Sequence, residues 1–386
     1  MVQPVIDAKV VFLTHYIPLY QVRVLQCLSE QIRDFQILLS TPIEPNREFR
    51  PDWSGLNVTV QNTWTFKQKW RHNKTEGGFQ DALYVHVPTD TAKRLRELRP
   101  DVVMSLELGA RSLGVIRYCK KNPDTKSLLC TYMSKHTEQS RGRMRTALRR
   151  WLVKRADALT YNGPDCKDYL DSIGADPDKL FHLPYAADDR TTYNGAIAEE
   201  TAGQRQRLLC VGQLSDRKGV LPLAMQLSDY CKARPDQQVE LLIAGNGPLK
   251  EAIERVAAPE NLDIQLLGNV PSDSLGDLMT SCGAVIAPTL ADEWLLVVNE
   301  AMHAGVPVIG SIYAQAVTTL VQDGYNGWQY DPTNERSLAD VLDQYFGLSA
   351  TKIDSMRLAA RESISERTPN WAASGALDAI RQLLNP

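Results

Sequence analysis

Two carboxylates and one lysine stand out by type and spacing. Lys218 closes the run Val211-Gly212-Gln213-Leu214-Ser215-Asp216-Arg217-Lys218-Gly219, where a strand ends at glycine and a helix opens after a polar loop. That arrangement sets a cation beside a helix amino end and suits a diphosphate. Asp292 and Glu300 lie eight residues apart in Pro288-Thr289-Leu290-Ala291-Asp292-Glu293-Trp294-Leu295-Leu296-Val297-Val298-Asn299-Glu300-Ala301-Met302. Asp292 falls in a loop and Glu300 inside the following helix. A nucleoside diphosphate at that helix start would bring its ribose diol to the Glu300 carboxylate, which can accept from two adjacent hydroxyls. Val297, Val298, Ala301 and Met302 flank Glu300, an apolar setting unlike that of an ordinary surface glutamate. Between these elements, Ala244-Gly245-Asn246-Gly247-Pro248 offers Gly245 and Gly247 for tight turning and close backbone approach.

These residues need strands that end together. Strand-and-helix alternation runs twice through the 386 residues, a length that favours two domains. In the first half, strands are expected over 9–14, 35–39, 101–106, 127–132 and 158–161, with helices over 20–32, 92–98 and 141–155. In the second half, strands are expected over 207–211, 239–244, 264–267, 284–287 and 308–309, with helices over 220–233, 248–257, 273–281 and 295–304. Such alternation reads as two parallel sheets with helices on both faces, each Rossmann-like and facing a central cleft. The boundaries read as 1–188, a linker 189–206, a second domain 207–369, and a helix in 370–386 expected to return to the first domain. Open sheets of this kind bind ligands beyond the carboxyl ends of their strands.

In this order and spacing, residues 207–332 resemble the donor-binding domain of the retaining glycosyltransferases of family 4, group 1, whose fold is GT-B. A looser resemblance covers 1–188, carried by Ile17-Pro18-Leu19-Tyr20, Arg99-Pro100-Asp101-Val102-Val103 and Ala156-Asp157-Ala158-Leu159. The resemblance implies transfer of a sugar from a UDP- or GDP-linked donor to an acceptor hydroxyl, with retention, in polysaccharide or glycolipid synthesis. It assigns Lys218 to the diphosphate, Glu300 to the ribose and Asp292, or its neighbour Glu293, to sugar hydroxyls. Gln213 stands where the family carries an arginine, and Arg217 is the cation nearby. Leu295 stands where the family has glycine, and the peptide nitrogens of Leu295 and Leu296 are expected to face the phosphates. Contacts near Asn269 and Val270 are expected to choose the base. His136, in the loop after the strand at 127–132, matches a family histidine that reaches the donor sugar, with Glu138 as its alternative. His15 also ends a strand on the cleft side.

The remaining features bound this reading. Apolar residues make up 43% and charged residues 23%, with a net charge of −3, so no nucleic-acid partner is expected. Seven cysteines without a CxxC pair read as buried thiols in a reducing compartment, which with no signal segment gives a cytoplasmic expectation. Residues 135–155 hold eight Lys or Arg against one acid, with Met144, Leu148, Trp151 and Leu152 at helical spacing. They read either as a core-packed helix with a solvated basic face or as a peripheral contact with the inner membrane face, fitting a carbohydrate or lipid-linked acceptor. Trp64 to Arg71 mixes aromatics and cations in the same way. Asp176-Pro177-Asp178 matches a metal-binding DxD only as text, and no metal or cofactor is expected because Lys218 and helix amides can meet the diphosphate charge. The alternative is a non-catalytic or weakened GT-B nucleotide-binding protein, motivated by Gln213, Asp292 and Leu295. An NAD enzyme is disfavoured, since no GxGxxG follows the first strand.

Overall fold

The structure is a computed structural model, and it describes residues 5–45, 51–72, 78–197 and 199–385. Its contacts divide the chain into two compact units: Met1–Trp70, Ala82–Asp189 and Arg367–Pro386 in unit 1, and Arg71–Asp81 with Arg190–Glu366 in unit 2.

Unit 1 begins with β1 (Ile6–Thr14), α1 (Leu19–Gln31), β2 (Ile32–Leu39) and β3 (Asn57–Val60). β4 (Thr63–His72) and β5 (Phe79–Pro88) form a separate two-stranded sheet, and the contacts group its tip with unit 2. Then follow α2 (Thr91–Leu98), β6 (Val102–Leu106), α3 (Ala110–Lys121), β7 (Lys126–Cys130), α4 (Arg143–Val153), β8 (Ala158–Tyr161), α5 (Pro164–Ser172) and β9 (Leu180–His182). Seven strands pair in the order β3-β2-β1-β6-β7-β8-β9, all in parallel. β1 is central and buried on both faces, which is why it reads as a nearly continuous apolar run. Its side chains alternate between two cores. Val10 and Phe12 meet Val22, Leu25 and Leu28 of α1, while Val11 and Leu13 meet Val115, Leu152 and Leu170 of α3, α4 and α5.

Unit 2 restarts with β10 (Arg207–Val211), α6 (Val220–Lys232), β11 (Val239–Ala244), α7 (Lys250–Glu254), β12 (Leu262–Gly268), α8 (Ser272–Thr280) and β13 (Ala284–Ala287). It continues through α9 (Val297–His303), β14 (Val308–Ser311), α10 (Gln315–Leu320), β15 (Gly327–Tyr330), α11 (Glu335–Phe346) and α12 (Ala350–Glu362). Its six strands are parallel in the order β12-β11-β10-β13-β14-β15. α13 (Pro369–Leu384) opens with Thr368 accepting from the Trp371 amide and with proline in its first turn, and it packs on α1 and β9 in unit 1. The topology is that of two Rossmann-like parallel sheets, as the alternation predicted.

All seven cysteines are buried, and no disulfide joins any two of them. Among the described residues, no helix is long and apolar enough to cross a membrane. The Asp176-Pro177-Asp178 text is a 3-10 turn capped by Asp176, which accepts from the Asp178 amide.

Candidate donor site

In both sheets the chain direction reverses once, leaving a switch point where strand exits diverge and a ligand can enter. In unit 2 this lies between β10 and β13. The exits of β10 and β13 carry the predicted residues, and they are tied to each other. Leu290 donates its amide to the Arg217 carbonyl at 2.8 Å, and the Thr289 hydroxyl donates to the same oxygen at 3.2 Å. Gly219 holds φ +68, and a β-carbon there would strike the Pro288 carbonyl oxygen. The crossing therefore admits only glycine.

Lys218 and Asp292 meet directly: Nζ lies 2.6 Å from Oδ2. Arg217 Nη1 reaches the same oxygen at 3.0 Å and also donates to the Ala291 carbonyl at 3.0 Å. Arg217 Nε pairs with Asp81 at 3.1 Å. Burial alone would raise the Asp292 carboxyl, but Lys218 and Arg217 outweigh that and hold it at about 2. The Asp292 amide donates to the Tyr313 carbonyl at 3.0 Å, which fixes the loop to the exit of β14.

Glu300 sits in the first turn of α9, half-buried between buried neighbours Asn299 and Ala301. Its carboxyl has no hydrogen-bond or ion-pair partner among the described residues, and removal from water pushes it up to about 7. The helix starts later than the sequence predicts. Leu295 has φ +84, outside any helix, and α9 opens at Val297. A leucine thus occupies a left-handed position that favours glycine, because the loop bridging Asp292 to Ala314 over-determines its backbone. The amides of Leu295, Leu296 and Val297 have no acceptor among the described residues, since the first intrahelical donors are Val298 and Glu300.

Gly245 and Gly247 lie at the exit of β11. A β-carbon on Gly245 would strike the Gly212 carbonyl, so this glycine lets the exits of β10 and β11 touch. Gly245 donates its amide to Gly268 at 2.7 Å, which brings the following Asn269 and Val270 beside the same rim. Gln213 is half-buried on the β10 exit. Lys218, Asp292, Glu300, Gln213, Gly245, Gly247, Asn269, Val270, Leu295 and Leu296 therefore all fall on strand exits or the first turn of α9 in unit 2. The sequence reading missed Asp81, whose only signal was an acid near an aromatic-basic strand.

His136 belongs to unit 1. It is half-buried on a turn closed by Ser134 and Thr137, whose hydroxyls and amides hydrogen-bond reciprocally at 3.0 and 3.1 Å. Glu138, the alternative to His136, is paired with Arg149, itself buried and bonded to Tyr169 Oη at 3.0 Å. In α4, Met144 is 89% exposed rather than part of an apolar stripe, while Leu152 is fully buried.

A family model described as Glycosyl transferases group 1 matches residues 205–346. A D-inositol 3-phosphate glycosyltransferase of Corynebacterium kroppenstedtii is 25% identical, covering 58% of this chain and 52% of the relative. A GDP-mannose-dependent monoacylated alpha-(1-6)-phosphatidylinositol monomannoside mannosyltransferase of Corynebacterium glutamicum is 26% identical, covering 42% of this chain and 46% of the relative. The chain spans about half the length of the curated relatives it matches. The solved structure of Anabaena HepE with UDP and glucose superposes with TM-score 0.71 at 14% identity, covering 97% of this chain and 100% of that one. Residues 205–346 are thus similar to the glycosyl transferases group 1, and the fold is that of the GT-B glycosyltransferases.

Proposed function

We propose that the chain is a retaining, metal-independent hexosyltransferase that moves a sugar from a UDP- or GDP-linked donor to an acceptor hydroxyl, in polysaccharide or glycolipid synthesis. The observation that carries the reading is the Glu300 carboxyl, half-buried in the first turn of α9 without a partner among the described residues, in the unit whose switch point has Lys218 and Arg217 sharing one acid. An isolated buried carboxylate is costly, and a ribose diol supplies the two donors it lacks. An incoming diphosphate competes with Asp292 for Lys218, freeing Asp292 to accept from sugar hydroxyls. The bond from the anomeric carbon to the phosphate oxygen breaks, and a bond to the acceptor oxygen forms on the same face. The acceptor proton leaves with the diphosphate. Lys218 and the amides of Leu295 and Leu296 meet the charge that develops on the leaving group, so the step calls for no metal. Gln213 offers a neutral donor where an arginine would add charge. Asn269 and Val270 are proposed to contact the base, Gly245 and Gly247 to let the backbone approach, and His136 to hydrogen-bond a sugar hydroxyl.

Relatives named for GDP-mannose and a structure holding UDP keep both bases in view. The acceptor is proposed to be a carbohydrate or a lipid-linked one, bound by unit 1, with a peripheral contact at the cytoplasmic membrane face through 141–155. Exposed Arg143, Met144, Arg150 and Lys154 in and beside α4 support that contact.

Calorimetry with UDP, GDP and their sugar conjugates tests the donor site. Lys218→Ala and Glu300→Ala should each weaken binding about tenfold or more, the worth of one charge-assisted hydrogen bond. Unchanged affinity in both variants would overturn the assignment. A second reading, nucleotide binding without transfer, is favoured by Leu295, which holds a left-handed backbone where the resembled family has glycine. Donor turnover with any acceptor rejects it.

A further inference from the structure

Three acceptors hold the Arg217 guanidinium. Its Nε lies 3.1 Å from Asp81 Oδ2, its Nη1 lies 3.0 Å from Asp292 Oδ2, and the same Nη1 donates to the Ala291 carbonyl at 3.0 Å. Its backbone carbonyl is fixed as well, by the Leu290 amide and the Thr289 hydroxyl. Lys218 shares the Asp292 oxygen at 2.6 Å, but it reaches that oxygen on a flexible four-carbon stem. The side chains of Asp81, Arg217, Lys218 and Asp292 are between 15% and 17% exposed, so solvent ions screen these bonds less than they would on an open surface.

Asp81 comes from a different sheet than its partners. It lies on β5, in the two-stranded sheet, whereas Arg217, Lys218 and Asp292 follow β10 and β13 of the six-stranded sheet. It is also the last residue of the segment whose contacts group with unit 2, and Ala82 already counts with unit 1. The charge at the donor loop is thus set in part from outside its own sheet.

The two neighbouring cations therefore differ in how they can respond to a phosphate. A planar guanidinium bonded to two carboxylates and a carbonyl gives them up together, while an ammonium changes partner by rotating its stem. Burial works to protonate Asp292, and Lys218 and then Arg217 oppose it. With Lys218 drawn to a phosphate, Arg217 still keeps the Asp292 carboxylate charged. Gln213 on the β10 exit carries no charge, so release of Arg217 would change the charge that meets a diphosphate.

We propose that Asp81 is a positioning residue of the donor site: it holds Arg217 on Asp292, so that an arriving diphosphate draws Lys218 away and leaves Arg217 in place. The inference rests on the donor-site reading above. It gives the adjacent cations separate tasks, Lys218 for the phosphates and Arg217 for the acid proposed to face the sugar.

The test measures UDP, GDP and UMP affinity by calorimetry on the full chain. The variants are Asp81→Asn, Asp81→Ser, Arg217→Gln and the double change Asp81→Asn with Arg217→Gln, with thermal melts to certify each fold. A staple with no other task would only weaken binding when cut. The proposal predicts the opposite. With Asp81 neutral, Arg217 is free to join Lys218 at the phosphates, and UDP or GDP should bind about threefold to tenfold more tightly at low salt. The gain should be smaller for UMP and should fade by about 0.5 M salt. In the Arg217→Gln background the same Asp81→Asn change should bring no gain. Two Asp81 variants are used so that neither the hydrogen bond an asparagine can make nor one misfolded chain decides the result. Unchanged or weaker nucleotide binding in both would overturn the proposal. So would a gain that survives in the Arg217→Gln background, since it would then come from loss of the Asp81 charge alone. If the wild-type chain binds neither UDP nor GDP, the donor-site reading falls and this inference with it; if it binds them and the Asp81 variants bind no more tightly, only this inference falls.

Discussion

Replacing Glu300 with glutamine should make the ligand-free protein more stable and its nucleotide complex weaker. The Glu300 carboxyl is raised from 4.5 to about 7 by burial alone. That shift corresponds to about 3 kcal/mol of unfavourable free energy once the group is ionised. The sign follows from proton binding. The native state holds a proton that the unfolded chain releases between pH 4.5 and about 7, so the penalty is absent below 4.5 and complete above about 7. Glutamine removes the charge, at the cost of burying an amide, so a net gain of about 1–3 kcal/mol is expected at pH 8. In a unit of this size that is a rise of roughly 2–4 °C in Tm per kcal/mol, fading as the pH falls toward 5. The same change leaves the ribose diol facing a neutral amide, and UDP or GDP affinity should fall about tenfold to a hundredfold. Thermal melts from pH 5 to 8.5, with and without nucleotide, read both effects. A Glu300→Gln protein that is less stable at pH 8, or that binds nucleotide as tightly as wild type, would refute the reasoning.

Asp292→Asn should cost about 2 kcal/mol at pH 7 by removing the negative charge that Lys218 and Arg217 share; because Asp292 is depressed from 3.8 to about 2, that difference should persist above pH 4 and vanish as the pH falls through 2, seen by urea titration at both ends. Arg149→Met leaves the buried Glu138 carboxylate to the more distant Arg141, 3.8 Å away, and should destabilise by about 3 kcal/mol in the same assay, whereas Glu138→Gln combined with it should recover part of the loss. If α4 contacts lipid, replacing Arg143, Met144, Arg150 and Lys154 with serine should abolish co-sedimentation with anionic vesicles without moving UDP or GDP affinity; vesicle binding that survives the change would exclude this face.

The two parallel sheets were legible because central strands buried on both faces carry unbroken apolar runs, as in Leu208-Leu209-Cys210 and Val102-Val103-Met104. Lys218, Asp292 and Glu300 were legible for a related reason: charges next to such runs must lie at strand exits. Other parts were hidden. α3 carries Arg111 and Ser112 on its buried side and a mid-helix glycine, so its apolar period is blurred. The β4–β5 strands alternate aromatics with cations, a pattern equally open to surface loops. Leu295 has good helix propensity, and nothing local announces that the loop around it imposes a left-handed turn. Arg149 looks like one more cation on a basic face until Glu138 is seen turned inward beneath it.

A structure of the chain with UDP or GDP bound tests the central claim most directly. The account predicts both ribose hydroxyls within hydrogen-bond distance of the Glu300 carboxylate, roughly 2.5–3.0 Å, and Lys218 Nζ moved from Asp292 to the diphosphate. Nucleotide seated elsewhere, with Lys218 still clasped to Asp292 and Glu300 untouched, would contradict it.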